Sequence, residues 1–147
     1  SLSLCGDLVL AAESASFVMA YTSVGLSMDG SSSYFLPRLI GLRRTQELLL
    51  TNRKLSAAEA LDWGLITRVV PDADLGAEAT KLGKQLAAGP TACHGACKRL
   101  LAQSFANGIE TQAALETRGI AATSRGPDGQ EGLAAFGEKR KPQFSGR

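Results

Sequence analysis

The stretch Leu50-TNRKLSAAEALDWGLITRVV-Pro71 carries the local signals that decide the fold. Ser56 is followed three residues later by Glu59, which is the spacing of a capping box and predicts the start of a helix. Gly64 is placed to end that helix in a left-handed cap. The β-branched run after the glycine predicts a strand, which the proline ends. A helix that leads directly into a strand predicts a chain of the α/β class.

The remainder of the chain divides at about residue 70. Before this point, short apolar runs predict strands at residues 8–12 and 17–20 and helices at 34–40 and 45–50. After it, only helices are predicted, at residues 73–88, 91–105, 109–123 and 129–139, with a turn at 125–128. Consecutive helices without a sheet to cover need another surface to pack on. The sequence therefore predicts an α/β part over residues 1–70 and a helical oligomerisation region over residues 71–147.

Composition excludes several classes of function. The 147 residues are 44% hydrophobic and 20% charged, and 16 basic against 14 acidic residues leave a net charge of 16 − 14 = +2. This charge is too small and too evenly spread to predict a nucleic-acid or membrane partner. No apolar run approaches the ~18 residues of a membrane span. We therefore expect a soluble, cytoplasmic protein.

Three cysteines, at positions 5, 93 and 97, make an odd count. A structural zinc site needs about four ligands, usually in closer pairs, so no metal site is predicted. Small reduced thiols are the ordinary interpretation for a cytosolic protein.

One acid stands in a position where it could act chemically, in the segment Tyr21-TSVGLSMDGSSSYFLPRLI-Gly41. Asp29 lies at a turn of small residues that opens a helix. An acid in such a place can face a pocket and take a proton, or it can simply cap the helix. Burial against neighbouring apolar side chains would raise its pKa, and the helix N-terminus would lower it. The pattern alone leaves both roles open.

The chain resembles the enoyl-CoA hydratase/isomerase (crotonase) superfamily over nearly its whole length. The segment 21–41, quoted above, is similar to the family's active-site segment. The segment 50–71 is similar to its helix-turn-strand signature. The other two are Cys5-GDLVLAAESAS-Phe17, which resembles the family's helix-to-strand segment, and Glu131-GLAAFGEK-Arg140, which resembles its C-terminal motif. All four stand in the family's order.

The resemblance implies a fold and a chemistry. The family fold is a spiral of ββα turns followed by a helical oligomerisation region, and its members usually form trimers or dimers of trimers. They bind acyl-CoA thioesters, and two backbone N–H groups stabilise the thioester enolate. In the family both N–H donors precede the segment that Ser1 begins. The resemblance therefore implies a partial spiral, with an N-terminal half outside this sequence, and a homotrimer or hexamer.

The family's catalytic acids map onto this chain unevenly. Hydratases of the family use two glutamates to add water, and the matching positions hold Ser1 and Tyr21, which cannot serve as carboxylates. Asp29 matches the position where several isomerases and a related dehalogenase carry a single functional carboxylate. That isomerase-like subgroup often reads GLSPDG, whereas this chain has Met28 in place of the proline. The resemblance therefore implies a double-bond isomerase with Asp29 as its base.

Further residues are expected to bind the substrate. Tyr21, Leu26, Met28 and Gly30 are expected to line the acyl pocket, and a core aromatic with a satisfied hydroxyl is an equally good interpretation of Tyr21. Phe136 and Lys139 match family positions that contact the CoA adenine and phosphates, and the solvated charge is an equally good interpretation of Lys139. No separate cofactor is implied, because CoA arrives as part of the substrate.

Two other functions remain open at this point. One is a hydratase-type lyase that uses Asp29 differently. The other is a catalytically incomplete chain that serves as an acyl-CoA-binding or oligomerisation module.

Overall fold

A computed structural model describes all residues from 1 to 147. In this structure, the segment 50–71 forms the helix and the strand that its sequence predicts. The Ser56 hydroxyl accepts the backbone N–H of Glu59, and the Glu59 carboxylate accepts the backbone N–H of Ser56, so the capping box is complete. Gly64 has a φ of 78°, in the left-handed region expected of a helix-ending glycine. These findings confirm the predicted helix and its end.

The chain folds as two compact units, Ser1–Ala79 and Thr80–Arg147. In the first unit, 3-10 helices cover Leu2–Cys5, Thr22–Val24 and Asp72–Asp74. Its strands are β1 Leu10–Ala12, β2 Ser16–Phe17, β3 Leu55–Ser56 and β4 Arg68–Val70. Its α-helices are α1 Ser32–Ile40, α2 Leu42–Thr51, α3 Ala57–Asp62 and the beginning of α4 Leu75–Ala87. The mixed α/β class is therefore confirmed.

The four strands form two short sheets. β1 and β4 are parallel, with Leu10 opposite Arg68, although nearly 60 residues separate them in sequence. β2 and β3 are antiparallel, with Phe17 opposite Leu55. The sequence predicted a strand from residue 17 to 20, and this was wrong beyond Phe17. The ladder with β3 consists of two residue pairs, Ser16 with Ser56 and Phe17 with Leu55, and ends there.

An apolar core joins these elements within the first unit. α1 buries Leu36 and Ile40, and α2 buries Leu48 and Leu49. The other buried core residues are Leu4, Ala11, Met19, Leu55, Ala57, Ala60, Leu65 and Ile66. Because α1 and the 3-10 helix Leu2–Cys5 both pack on this core, their first residues are held close to each other.

All the regular secondary structure of the second unit is helical. It contains the end of α4, then α5 Thr91–Ser104, α6 Ile109–Arg125 and α7 Pro127–Gly137, followed by a tail without regular secondary structure. The sequence placed a turn at residues 125–128, whereas α7 already begins at Pro127. Proline suits the first helical position, because the N–H it lacks would have no partner within the helix.

Candidate active site

The turn that carries Asp29 has an unusual backbone. Gly30 and Ser31 both have positive φ values, 58° and 62°, and α1 starts at the next residue. Glycine adopts this region readily, and serine rarely does. Ser31 occupies the N-cap position without a side-chain cap bond. The Asp29 carboxylate therefore does not cap α1 in this structure, which leaves it available for another role.

Four groups meet at this turn through short hydrogen bonds. The Tyr21 hydroxyl donates to Asp29 Oδ1 at 2.7 Å. Ser1 Oγ lies 2.5 Å from the Tyr21 hydroxyl oxygen and 2.6 Å from Ser32 Oγ. The Ser32 hydroxyl in turn donates to the Asp29 backbone carbonyl at 2.7 Å. We call Ser1, Tyr21, Asp29 and Ser32 the hydroxyl cluster.

The cluster is buried on one side and open on the other. Ser32 is completely buried and Ser1 and Tyr21 are half-buried, whereas Asp29 is exposed. Oδ2 of Asp29 makes no hydrogen bond or ion pair within the chain, so it is free to meet a substrate. Among the predicted pocket residues, Met28 packs against the core, while Leu26 is 62% exposed.

Gly30 allows the cluster to close. A Cβ built on this glycine would lie only 2.9 Å from the Cβ of Ser1. That separation is well below the ~3.5–4.0 Å of carbon atoms in contact. Any larger residue at this position would push the first residue of the chain away from the turn.

In the second unit, the two residues predicted to contact CoA lie at a turn that is held by ion pairs. Phe136 is 87% exposed, and Lys139 is exposed with a positive φ of 55°. Next to them, the Arg140 guanidinium donates two hydrogen bonds to the Glu131 carboxylate, at 2.6 and 2.9 Å. Arg140 also bonds to Glu138 at 2.5 Å. The Arg140 hydrogen bonds, with the backbone N–H of Gln143, lower the pKa of Glu131 to about 2.

A second carboxylate, Asp128, binds the C-terminal tail. It is buried and accepts the backbone N–H groups of Ser145, Gly146 and Arg147 at 2.6, 2.8 and 3.1 Å. The Ser145 hydroxyl donates to it as well. These bonds, the Ser145 backbone N–H foremost, hold the pKa of Asp128 below its usual value. Both oxygens of the Asp128 carboxylate accept hydrogen bonds from the tail, so Asp128 is not a candidate base.

The second unit also carries a groove of its own. It is an open groove of about 530 Å³ between α5 and α6, lined mainly by small and apolar residues that include Cys93, Cys97, Leu100 and Ile120. No group of three or more His, Cys, Asp or Glu residues is placed to share a metal ion. None of the helices is long and apolar enough to cross a membrane.

The structure brings some predicted site residues together and adds one. Asp29, Tyr21 and Gly30 meet at one turn, and Ser1, identified only by its family position, joins them. Ser32 was not singled out from the sequence. Its only signal was the run of three serines after Asp29-Gly30. The roles assigned to these residues, and to Leu26, Met28, Phe136 and Lys139, stay predictions.

Comparisons with known proteins identify the family of the chain. The family model for enoyl-CoA hydratase/isomerase matches residues 1–147. The chain is 40% identical to 1,2-epoxyphenylacetyl-CoA isomerase from Escherichia coli over 147 residues, which is all of this chain and 56% of that protein. It is 38% identical to a probable enoyl-CoA hydratase from Rhodobacter capsulatus, over all of this chain and 57% of that protein.

Two further proteins extend the comparison. The chain is 38% identical to 4-chlorobenzoyl coenzyme A dehalogenase-1 from an Arthrobacter species, over 94% of this chain and 50% of that protein. The crystal structure of an enoyl-CoA hydratase from Bacillus anthracis superimposes with a TM-score of 0.90 at 34% identity, covering 99% of this chain and 57% of that one. The chain thus spans about half the length of the relatives it matches. It belongs to the enoyl-CoA hydratase/isomerase family.

Proposed function

We propose that the protein is an acyl-CoA double-bond isomerase in which Asp29 is the single catalytic base. The observation that supports this proposal is the hydroxyl cluster. The two positions where the family's hydratases are expected to carry glutamates, Ser1 and Tyr21, both bond into a network with Asp29. The site thus contains one carboxylate where a hydratase would have two. The hydroxyls of Ser1 and Tyr21 cannot act as the second carboxylate.

The chemistry of isomerisation needs only one such group. A carboxylate oxygen takes a proton from the carbon next to the thioester or from the carbon beyond the double bond. The electrons of the broken C–H bond move into the thioester carbonyl, which becomes an enolate. The same group then returns the proton to the other carbon, and the double bond has moved. Oδ2 of Asp29 is the free oxygen that can make both transfers.

The remaining parts of the proposal rest on the family resemblance. Leu26, Met28 and Gly30 are proposed to border the acyl group, and Phe136 and Lys139 to contact CoA. No cofactor other than the CoA of the substrate is proposed. The working protein is proposed to be a cytoplasmic homotrimer or hexamer.

The relatives' names fit a reaction on a CoA ester. The first is a CoA-ester isomerase, and the third a CoA-ester dehalogenase. The second candidate function is a hydratase-type lyase, which the Rhodobacter relative favours. The two candidates differ in their product, because a hydratase yields a 3-hydroxyacyl-CoA and an isomerase yields a conjugated enoyl-CoA.

The test is made on the full-length protein that carries this chain, with 3-hexenoyl-CoA as the probe and products identified by chromatography and mass spectrometry. Asp29→Asn keeps the shape of the side chain and removes the base. We expect its kcat to fall by about 10²–10⁴-fold, the usual contribution of a general base, with KM little changed. The matched control is Asp62→Asn, since this acid is exposed at the end of α3. Wild-type turnover by Asp29→Asn, or no conversion by the unchanged protein, would overturn the proposal. With 2-hexenoyl-CoA as a second probe, formation of a 3-hydroxyacyl product would favour the hydratase instead.

A further inference from the structure

Helix α7 ends in a turn whose backbone usually contains a glycine. The Lys139 N–H bonds to the Phe136 carbonyl at 3.3 Å, and the Arg140 N–H bonds to the Ala135 carbonyl at 3.0 Å. This pair of bonds forms a Schellman motif, in which one residue takes a left-handed backbone and is usually glycine. Here that residue is Lys139, with a φ of 55°. A lysine is therefore held in a conformation that glycine adopts at lower cost.

The residue after Lys139 is held by ion pairs. A Schellman motif is frequently completed by an apolar contact between this residue and the last turn of the helix. Here the residue is Arg140, whose guanidinium donates to both oxygens of Glu131, at 2.6 and 2.9 Å, and to Glu138 at 2.5 Å. We call Glu131, Glu138 and Arg140 the arginine clamp. Because two parallel bonds fix the direction of a guanidinium, the clamp holds the turn that carries Lys139 against α7.

The chain that follows the turn is tied to the same helix. Oε1 of Glu131 also accepts the backbone N–H of Gln143, at 2.8 Å. Asp128, three residues earlier in α7, accepts the backbone N–H groups of residues 145–147. Residues three positions apart lie on one face of a helix, so both carboxylates hold the tail on that face. Lys139 is thereby fixed from both sides, by α7 before it and by the anchored tail after it.

The turn presents a cation and an aromatic ring to solvent. Phe136 is 87% exposed, and Lys139 is exposed as well. The Lys139 ammonium makes no hydrogen bond or ion pair within the chain, whereas the neighbouring Arg140 is engaged by two carboxylates. An aromatic ring can stack on a nucleobase, and an ammonium can pair with a phosphate. The clamp thus leaves one of two adjacent cations available to a ligand.

We propose that Glu131 and Arg140 are positioning residues that hold Lys139 in place for the nucleotide end of an acyl-CoA. This inference rests on the proposed function, in which Phe136 and Lys139 contact CoA. Ordering a flexible backbone and a long side chain on binding lowers affinity. Because the clamp orders the Lys139 backbone when the protein folds, less ordering remains when the ligand binds. The clamp therefore sets how strongly the protein prefers a CoA ester to a thioester without the nucleotide.

Charge alone predicts the opposite effect for Glu131. Removal of a negative charge from the region that binds phosphates would strengthen the binding of an anion. Positioning predicts that Glu131→Gln weakens it, because glutamine keeps the shape of the side chain but loses the charge-assisted bonds to Arg140. Arg140→Lys tests the clamp from its other side, since it keeps the positive charge and loses the planar fork. If the clamp positions Lys139, both variants weaken binding.

The experiment compares two thioesters by isothermal titration calorimetry on the full-length protein that carries this chain. Hexanoyl-CoA carries the nucleotide and its phosphates, and hexanoyl-pantetheine lacks them. Lys139→Gly removes the ammonium and suits the left-handed backbone, so it measures the loss of the contact itself. We expect it to weaken the binding of hexanoyl-CoA by about tenfold, the effect of one hydrogen bond to a charged group.

The clamp variants are expected to lose part or all of the same contact. Glu131→Gln and Arg140→Lys should each weaken the binding of hexanoyl-CoA by about three- to tenfold. The affinity for hexanoyl-pantetheine should not change, because this ligand does not reach the turn. The matched control is Glu110→Gln, which changes an exposed acid in the first turn of α6. It is expected to bind both esters as the unchanged protein does.

Three results would overturn the inference. The first is binding of hexanoyl-CoA by Glu131→Gln that is equal to, or tighter than, that of the unchanged protein. The second is an equal loss for both esters, which would indicate a general disturbance of the fold. The third is unchanged binding by Lys139→Gly. None of these measurements depends on turnover, whereas isomerisation at the wild-type rate by Asp29→Asn would overturn the proposed catalytic function, so the two failures are distinguishable.

Discussion

Replacing Gly30 with alanine tests whether the close approach of two chain segments builds the site. The new Cβ would lie 2.9 Å from the Cβ of Ser1, and Gly30 has a φ of 58°. A left-handed alanine costs about 1–2 kcal/mol. Overpacking adds about 1–3 kcal/mol. We therefore expect Gly30→Ala to lower the free energy of unfolding by about 2–5 kcal/mol.

Gly25→Ala separates the two contributions. Gly25 also lies in the left-handed region, with a φ of 74°, but a Cβ added there would have nothing within 4 Å. Gly25→Ala is therefore expected to lose only the conformational part, about 1–2 kcal/mol. Urea unfolding followed by circular dichroism measures both variants, and the difference between them isolates the contact with Ser1.

Gly30→Ala should also change catalysis. Reaching the shortest normal carbon–carbon separation requires a displacement of roughly 0.6 Å. A shift of that size is enough to lengthen the 2.5 Å contact between Ser1 and Tyr21 beyond an ordinary O–H···O bond. We expect Gly30→Ala to lower kcat on 3-hexenoyl-CoA, because the network that holds Asp29 would be disturbed. Equal losses of stability in Gly30→Ala and Gly25→Ala would refute the reasoning, because the contact with Ser1 would then cost nothing.

Two more predictions concern stability. Leu36→Ala, on the buried face of α1 at 1% exposure, should lower the free energy of unfolding by about 2–5 kcal/mol. Leu39→Ala, on the same helix but 43% exposed, should lose clearly less, and equal losses in urea unfolding would contradict the assigned core. The pKa of Glu131 is depressed in the folded protein, from 4.5 to about 2, so its contribution to stability is present above its unfolded pKa and is lost as pH falls from about 4.5 toward 2. Between pH 4.5 and 2, the melting temperature of the unchanged protein should fall more steeply with decreasing pH than that of Glu131→Gln. Identical pH profiles would show that the bonds between Glu131 and Arg140 do not contribute to stability.

Features that depend on neighbours in sequence could be predicted from the sequence. The capping box of Ser56 and Glu59, the left-handed Gly64 and the strand leading to Pro71 each depend on residues within a few positions of one another. Helix-forming patterns after residue 71 likewise located α4 to α7 within a few residues. The family followed from four short segments in a fixed order, and the comparisons confirm it.

Strand lengths and one helix start were predicted less well, because they depend on partners. β2 ends at Phe17, where its ladder with β3 ends. Pro127 was assigned to a turn because proline usually marks one, yet at the first position of α7 it costs no hydrogen bond.

The sequence by itself predicted that Asp29 lies at the turn that opens a helix and, through the family resemblance, that Ser1 and Tyr21 stand where the family's hydratases carry glutamates. Only the tertiary structure decided that these residues share one network with Ser32. The bonds that make the network join residues 20 and 31 positions apart. No periodicity links such positions, because the packing of α1 and the first 3-10 helix on a common core brings them together.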